Sequence, residues 1–133
     1  MSLQTKMFRR DYKVKGEDVN DYMYMEKTAY QKYMTSIINT FLFEKGFIKK
    51  KMKTLPYLQS ESSDSLMLIK PLMFLQDFFI NLELIHIDKN LKNIQIKSRF
   101  FNADNELCVM AHIHFCGFDN AMMNKNKIIK IDC

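Results

Sequence analysis

Apolar positions along the chain change their spacing twice, dividing it into a strand, a helix and a run of further strands. Phe8, Tyr12 and Val14 stand among charges at even spacing, so the segment from Phe8 to Val19 predicts a first strand, with Gly16 bending its end. Tyr30, Tyr33, Met34, Ile37, Ile38, Phe41 and Leu42 then recur at spacings of three and four, which places them on one helix face. Asn20 and Asp21 carry the short polar side chains that cap helix starts. Gly46 supplies the stop, with Lys45 before it and Lys49 beyond it suited to the negative end of the helix dipole. The spacing therefore predicts one long helix from about Tyr22 to Lys45.

From Phe47 the period becomes two, interrupted by the polar run Ser60 to Ser65 and by Pro71. Phe78, Ile80, Leu82 and Leu84 share one face of a strand, Ile94, Ile96, Ser98 and Phe100 one face of the next, and Leu107, Val109, Ala111, Ile113 and Phe115 one face of a third. Asp88 to Lys92 and Asn102 to Glu106 have the Asn/Asp chemistry of hairpin loops, so these strands form an antiparallel meander. At 133 residues there is room for one core, and a single helix can bury its stripe only on the sheet, which is an α+β arrangement. The domain spans 1–133, with a core over about 8–119 and a basic C-terminal tail over 120–133.

Composition narrows the function. Eleven Met and eleven Phe with no Trp imply an adaptable, aromatic-lined interior, which suits an apolar ligand as well as a plain core. The net charge of +5 attracts anions, yet only Arg9, Arg10 and Arg99 among the basic residues are Arg, the side chain that forks onto phosphate and guanine edges. Lys49, Lys50, Lys51 and Lys53 form the one cluster, read as a solvated segment rather than a nucleic-acid site. Cys108, Cys116 and Cys133 are odd in number and lack C-x-x-C spacing, which fits neither a disulfide framework nor a zinc knuckle; free thiols imply a reducing cytoplasm. His112 and His114 form an H-x-H pair, but no third ligand accompanies them and His86 lies elsewhere, so no metal is expected. No apolar run is long enough for a membrane span, and the start lacks the charged-then-apolar order of a signal peptide.

The segment Val19-Asn20-Asp21-Tyr22-Met23-Tyr24-Met25 resembles the V-N-N-x-x-Y-L signature at the helix entrance of the 4-hydroxybenzoyl-CoA thioesterase-like family. Gly46-Phe47 after the helix, Pro71 before a hairpin, the hairpin Phe100 to Leu107 and the pair Phe118-Asp119 follow the same pattern. The resemblance implies a hotdog fold, one long central helix wrapped by a mainly antiparallel sheet of five or six strands. It implies a thioester hydrolase of acyl-CoA or acyl-carrier-protein substrates, without cofactor or metal, assembled as a homodimer or homotetramer. Phe79, Ile85, Ile87, Phe101, Met110 and Phe118, apolar on the opposite strand register, are the positions a second copy would cover.

In that family the thioester carbonyl sits at the start of the long helix, against a backbone N–H that aligns with Asp21, flanked by Tyr22 and Tyr24. Tyr24 aligns with the family's Tyr and is expected to pack structurally. A nearby carboxylate activates water or attacks the carbonyl. Here the family's carboxylate position is Val14, and the usual Gly-His pair before the Val is Glu17-Asp18. Either Glu17 or Asp18 fills the vacant role, or the chain is a non-catalytic hotdog protein that binds acyl thioesters or scaffolds an assembly. Asn20 matches the family's Asn and either orients water or caps the helix. An acid beside a helix start is also, more plainly, a dipole partner.

Overall fold

The computed structural model describes residues 8–45, 66–87 and 93–116. Strand β1 (Phe8–Lys13) leads through a short 3-10 turn at Gly16–Asp18 to helix α1 (Lys27–Glu44), and strands β2 (Met67–Leu68), β3 (Asp77–Ile87), β4 (Asn93–Asn102) and β5 (Leu107–Cys116) follow. They form one five-stranded sheet in the order β1-β3-β4-β5-β2, and every pairing is antiparallel. The segment expected to be strand and turn over Phe47 to Ser65, the Asp88 to Lys92 loop, Gly46, Phe118 and the C-terminal tail lie outside the described residues.

Inward side chains of the sheet meet the apolar stripe of α1. Phe78, Ile80 and Leu82 of β3, Ile94, Ile96, Ser98 and Phe100 of β4, and Val109, Ala111 and Ile113 of β5 are buried, as their alternation predicts. From the helix come Ala29, Tyr30, Tyr33, Met34, Ile37, Ile38, Phe41 and Leu42. Aromatic edges lock the two layers: Tyr33 meets Phe78 at 5.2 Å and Tyr12 at 5.0 Å, Tyr30 meets Phe100 at 5.5 Å, and Phe8 meets Phe41 at 5.2 Å. Each such pair contributes about 0.5–1.5 kcal/mol beyond its buried area.

Two bulges modify the expected alternation. Phe100 pairs with Val109 and Phe101 with Leu107, so Cys108 is an extra residue of β5; it turns into the core, while Leu107 falls opposite outward-facing Phe101 and leaves the inner row. Ile85 is the corresponding extra residue between Leu84 and His86 on β3. The 102–106 hairpin forms as expected. Asn102 Oδ1 accepts from the Asp104 and Glu106 amides at 2.9 and 3.0 Å, and Asn105 takes the left-handed conformation, φ 63°, that Asn tolerates.

The helix begins later than its sequence suggests. Residues 20–26 form a closed loop instead of a first helical turn, and Glu26 stands at the N-cap without a capping side chain. Asn20 and Asp21 are therefore not helix caps. The first strand likewise ends at Lys13 rather than near Val19, because Val14 turns inward, fully buried, with its N–H donated to Gln76 O at 2.9 Å and its C=O accepting from Leu75 N at 3.1 Å.

Candidate active site at the helix entrance

The chain between β1 and α1 is built around two side chains. Asn20 Oδ1 accepts from the Tyr22 and Tyr24 amides at 2.8 and 3.2 Å, while its own N–H donates to Tyr24 O at 2.9 Å. This closes the loop that displaces the helix start, as Asx turns do. Asp18 is the second. Its side chain is wholly buried. Oδ2 accepts from Tyr33 Oη at 2.5 Å and from the Lys15 amide at 2.9 Å, and Oδ1 accepts from Lys32 Nζ at 3.1 Å. Its carbonyl also receives the Glu26 N–H at 2.9 Å, so Asp18 ties the 3-10 turn to the residue that opens α1.

The electrostatics follow from these contacts. Burial pushes the Asp18 carboxyl up, but the bonds from Tyr33, the Lys15 amide and Lys32 outweigh it and hold the group below its ordinary value. Burial raises the Tyr33 phenol, and the Asp18 bond and charge raise it further, so Tyr33 remains a donor. Lys32, bonded to Asp18, is raised as well and stays an ammonium. Its Nζ also stands 3.7 Å from Glu17 Oε2, whose side chain is 67% exposed. One cation thus serves two adjacent carboxylates, one buried and one open to water.

Beside this cluster the loop pairs with the segment after β2. Tyr24 bridges to Met73, Phe74 N donates to Met23 O at 2.9 Å, and Met25 N donates to Leu72 O at 2.9 Å. Tyr30 Oη accepts from Leu72 N at 2.9 Å and anchors the segment to the helix. A Cβ at Gly16 would stand 3.7 Å from Phe74 Cε1, which places that ring next to the 3-10 turn. Tyr22, Met23, Tyr24, Met73, Phe74 and Leu75 all remain exposed, and Met23 and Leu75 hold φ near 71° and 73°, a region costing about 1–2 kcal/mol per residue for such side chains.

Glu17, Asp18 and Asn20 thus share one short loop beside the first turn of α1. Tyr22 and Tyr24 lie on its exposed rim, so Tyr24 is a surface residue and not the packing residue expected of it. Asp21 sits in the turn before the helix, and its N–H is not a helix-terminal donor. Nothing in the sequence pattern marks Lys32 or Tyr33 as a site residue; Tyr33 lies in the apolar stripe and shows no sign there of its Asp18 partner. An open cavity of about 370 Å³ lies elsewhere, lined by Arg9, Asp11, Phe79 and Asn105 among others, and neither Glu17 nor Asp18 reaches it. Among the described residues no group of His, Cys, Asp and Glu is arranged to hold a metal ion.

No protein-family model and no curated protein matches the sequence. Solved structures do match. A Staphylococcus aureus protein in complex with CoA superposes with a TM-score of 0.64 at 14% identity, over 96% of this chain and 90% of the other. A Streptococcus mutans protein bound to acetyl CoA gives 0.67 at 14% identity, over 90% and 87% of the two chains. The chain has the hotdog fold. A gentisyl-coenzyme A thioesterase, 18% identical, shares this hotdog architecture with a TM-score of 0.63 over 82% of this chain and 86% of that one. Such identities speak for the architecture alone.

Proposed function

We propose that this hotdog chain is a thioester hydrolase acting on acyl-CoA or acyl-carrier-protein substrates. The observation that carries the reading is the pair Glu17 and Asp18 gathered around Lys32 beside the first turn of α1, on a fold shared with structures holding CoA and acetyl CoA. The first-turn amides at Lys27 and Thr28 replace the Asp21 N–H as donors to the thioester oxygen, since helix N-terminal amides and the dipole favour a developing oxyanion. A carboxylate of the pair takes a proton from water as the water oxygen bonds to the carbonyl carbon. The tetrahedral oxyanion collapses, the C–S bond breaks, and the thiolate leaves with that proton. Asn20 holds the loop in place, and Tyr22 and Tyr24 flank the acyl group.

The exposed apolar rim supports a homodimer, with a tetramer formed by pairing dimers, because surface of this kind is normally covered. No helix among the described residues is long and apolar enough to cross a membrane, and the unpaired buried thiol of Cys108 is in keeping with a reducing, cytoplasmic setting.

One feature favours a second reading, a hotdog protein that binds acyl thioesters without hydrolysing them: Val14, at the position of the family's carboxylate, is a core residue. A thiol-release assay across short, long and aromatic acyl-CoAs, with the matching acyl-carrier proteins, decides between them. Turnover supports the hydrolase; binding without turnover of any substrate supports the second reading.

A further inference from the structure

Glu17 and Asp18 are adjacent in sequence, yet their surroundings separate their roles. Asp18 has no exposed surface, and its two oxygens already accept three bonds, from Tyr33, the Lys15 amide and Lys32. To act on water it would have to open the packing of the 3-10 turn on α1, because its side chain has no solvent contact. The same bonds lower its affinity for a proton, which weakens it as a base. Glu17 is open to water, and its one described ion-pair contact is the looser 3.7 Å approach to Lys32. Lys32, though half exposed, is tethered: Asp18 holds its ammonium at 3.1 Å, and Nζ lies 5.4 Å from the centre of the Tyr33 ring.

We propose that Glu17 alone supplies the reacting carboxylate, and that Lys32, fixed by the buried Asp18–Tyr33 pair, is the residue that positions it. This rests on the thioesterase reading. Glu17 takes the proton from the attacking water as the new C–O bond forms, and returns it to the thiolate sulfur as the C–S bond breaks, so the carboxylate is regenerated in each turnover. Asp18 is then a structural acid acting through Lys32.

The test is steady-state thiol release by the full chain, using the acyl-CoA that the wild type turns over best, with thermal melting of each variant alongside. Glu17→Gln is expected to lower kcat by about a hundredfold or more with KM within about threefold and an unchanged melting temperature. Lys32→Met is expected to lower kcat by about tenfold at similar KM, and Lys32→Arg, which keeps the charge and the reach, to recover most of that loss. Asp18→Asn should cost no more turnover than Lys32→Met and should lower the melting temperature, which Glu17→Gln does not. A Glu17→Gln chain with full turnover beside an inactive, folded Asp18→Asn chain overturns the assignment, and so does a Lys32→Met chain with wild-type kcat. A wild-type chain inactive on every thioester overturns the thioesterase reading itself, and this inference with it.

Discussion

Asp18 shows how much of a site is decided by one side chain's surroundings. A carboxylate without solvent contact is costly unless its oxygens are bonded, and three donors meet that cost here. Because its folded-state affinity for protons lies below that of an unfolded chain's Asp, the resulting stabilisation is fully present above about pH 4, the ordinary carboxylate value, and is lost as pH falls through the lower folded value. Asp18→Asn is therefore expected to be about 2 kcal/mol less stable than wild type at pH 7, and the gap should narrow by pH 3. Thermal melts of both chains at the two pH values check this, and an equal gap at both would show that the bonds do not depend on ionisation. Ser98 is the converse case. Its Oγ is buried in the centre of β4, between Leu82 and Ala111, without a hydrogen-bond partner. Ser98→Ala should stabilise the fold by about 1 kcal/mol, and a lower melting temperature would mean that the hydroxyl is satisfied after all. The sequence offered Asp18 as an acid but not its burial, because Lys32 and Tyr33 reach it only once α1 has packed on the sheet.

At the scale of elements, legibility followed the strength of the period. The inner faces of β3 and β4 were readable because alternation runs unbroken through Phe78 to Leu82 and Ile94 to Phe100. On β5 the bulge at Cys108 shifted Leu107 off that row, and no residue near it marks a bulge as a Gly would. The 102–106 hairpin was readable from its Asn and Asp residues, whose side chains make the turn. The end of α1 at Glu44 agrees with the spacing, but its start does not. Asn20 and Asp21 have cap chemistry, yet the buried stripe begins only at Ala29, and Asn20 satisfies loop amides instead of helix amides. The same residue types serve both purposes, so the choice between them rests on the pairing of Tyr24 with Met73, which lies far along the chain. The helix-entrance motif thus marks the loop that leads into α1, while its Asn20 and Asp21 stand outside the helix.

At the scale of the molecule, α1 covers the inner face of the sheet and leaves apolar surface elsewhere among the described residues. The opposite-register residues expected to need a partner are partly covered within the chain: Phe79 stacks on Phe101 at 5.1 Å, and Arg9 lies over Phe79 at 3.7 Å. Ile85 stays exposed, Met110 is half-buried, and the side chains of Ile87 and Phe118 lie outside the described residues. Among the described residues the larger uncovered surface is the rim of Tyr22, Met23, Tyr24, Met73, Phe74 and Leu75, beside the 3-10 turn that carries Glu17. If two copies meet there, each completes the other's site, and light scattering at micromolar concentration should report a dimer. Leu75→Asp is the informative variant. Leu75 is 59% exposed and holds φ near 73°, a conformation Asp tolerates better than Leu, so the substitution eases the backbone while placing a charge in the contact. An unchanged or higher melting temperature of the monomer, with dimer affinity weakened about tenfold or more and turnover falling in step, is the expected result. A variant that dimerises as tightly as wild type would move the contact away from this rim, to the outer sheet face around Phe79 and Phe101, and a wild-type monomer with full turnover would mean that a single chain holds the whole site.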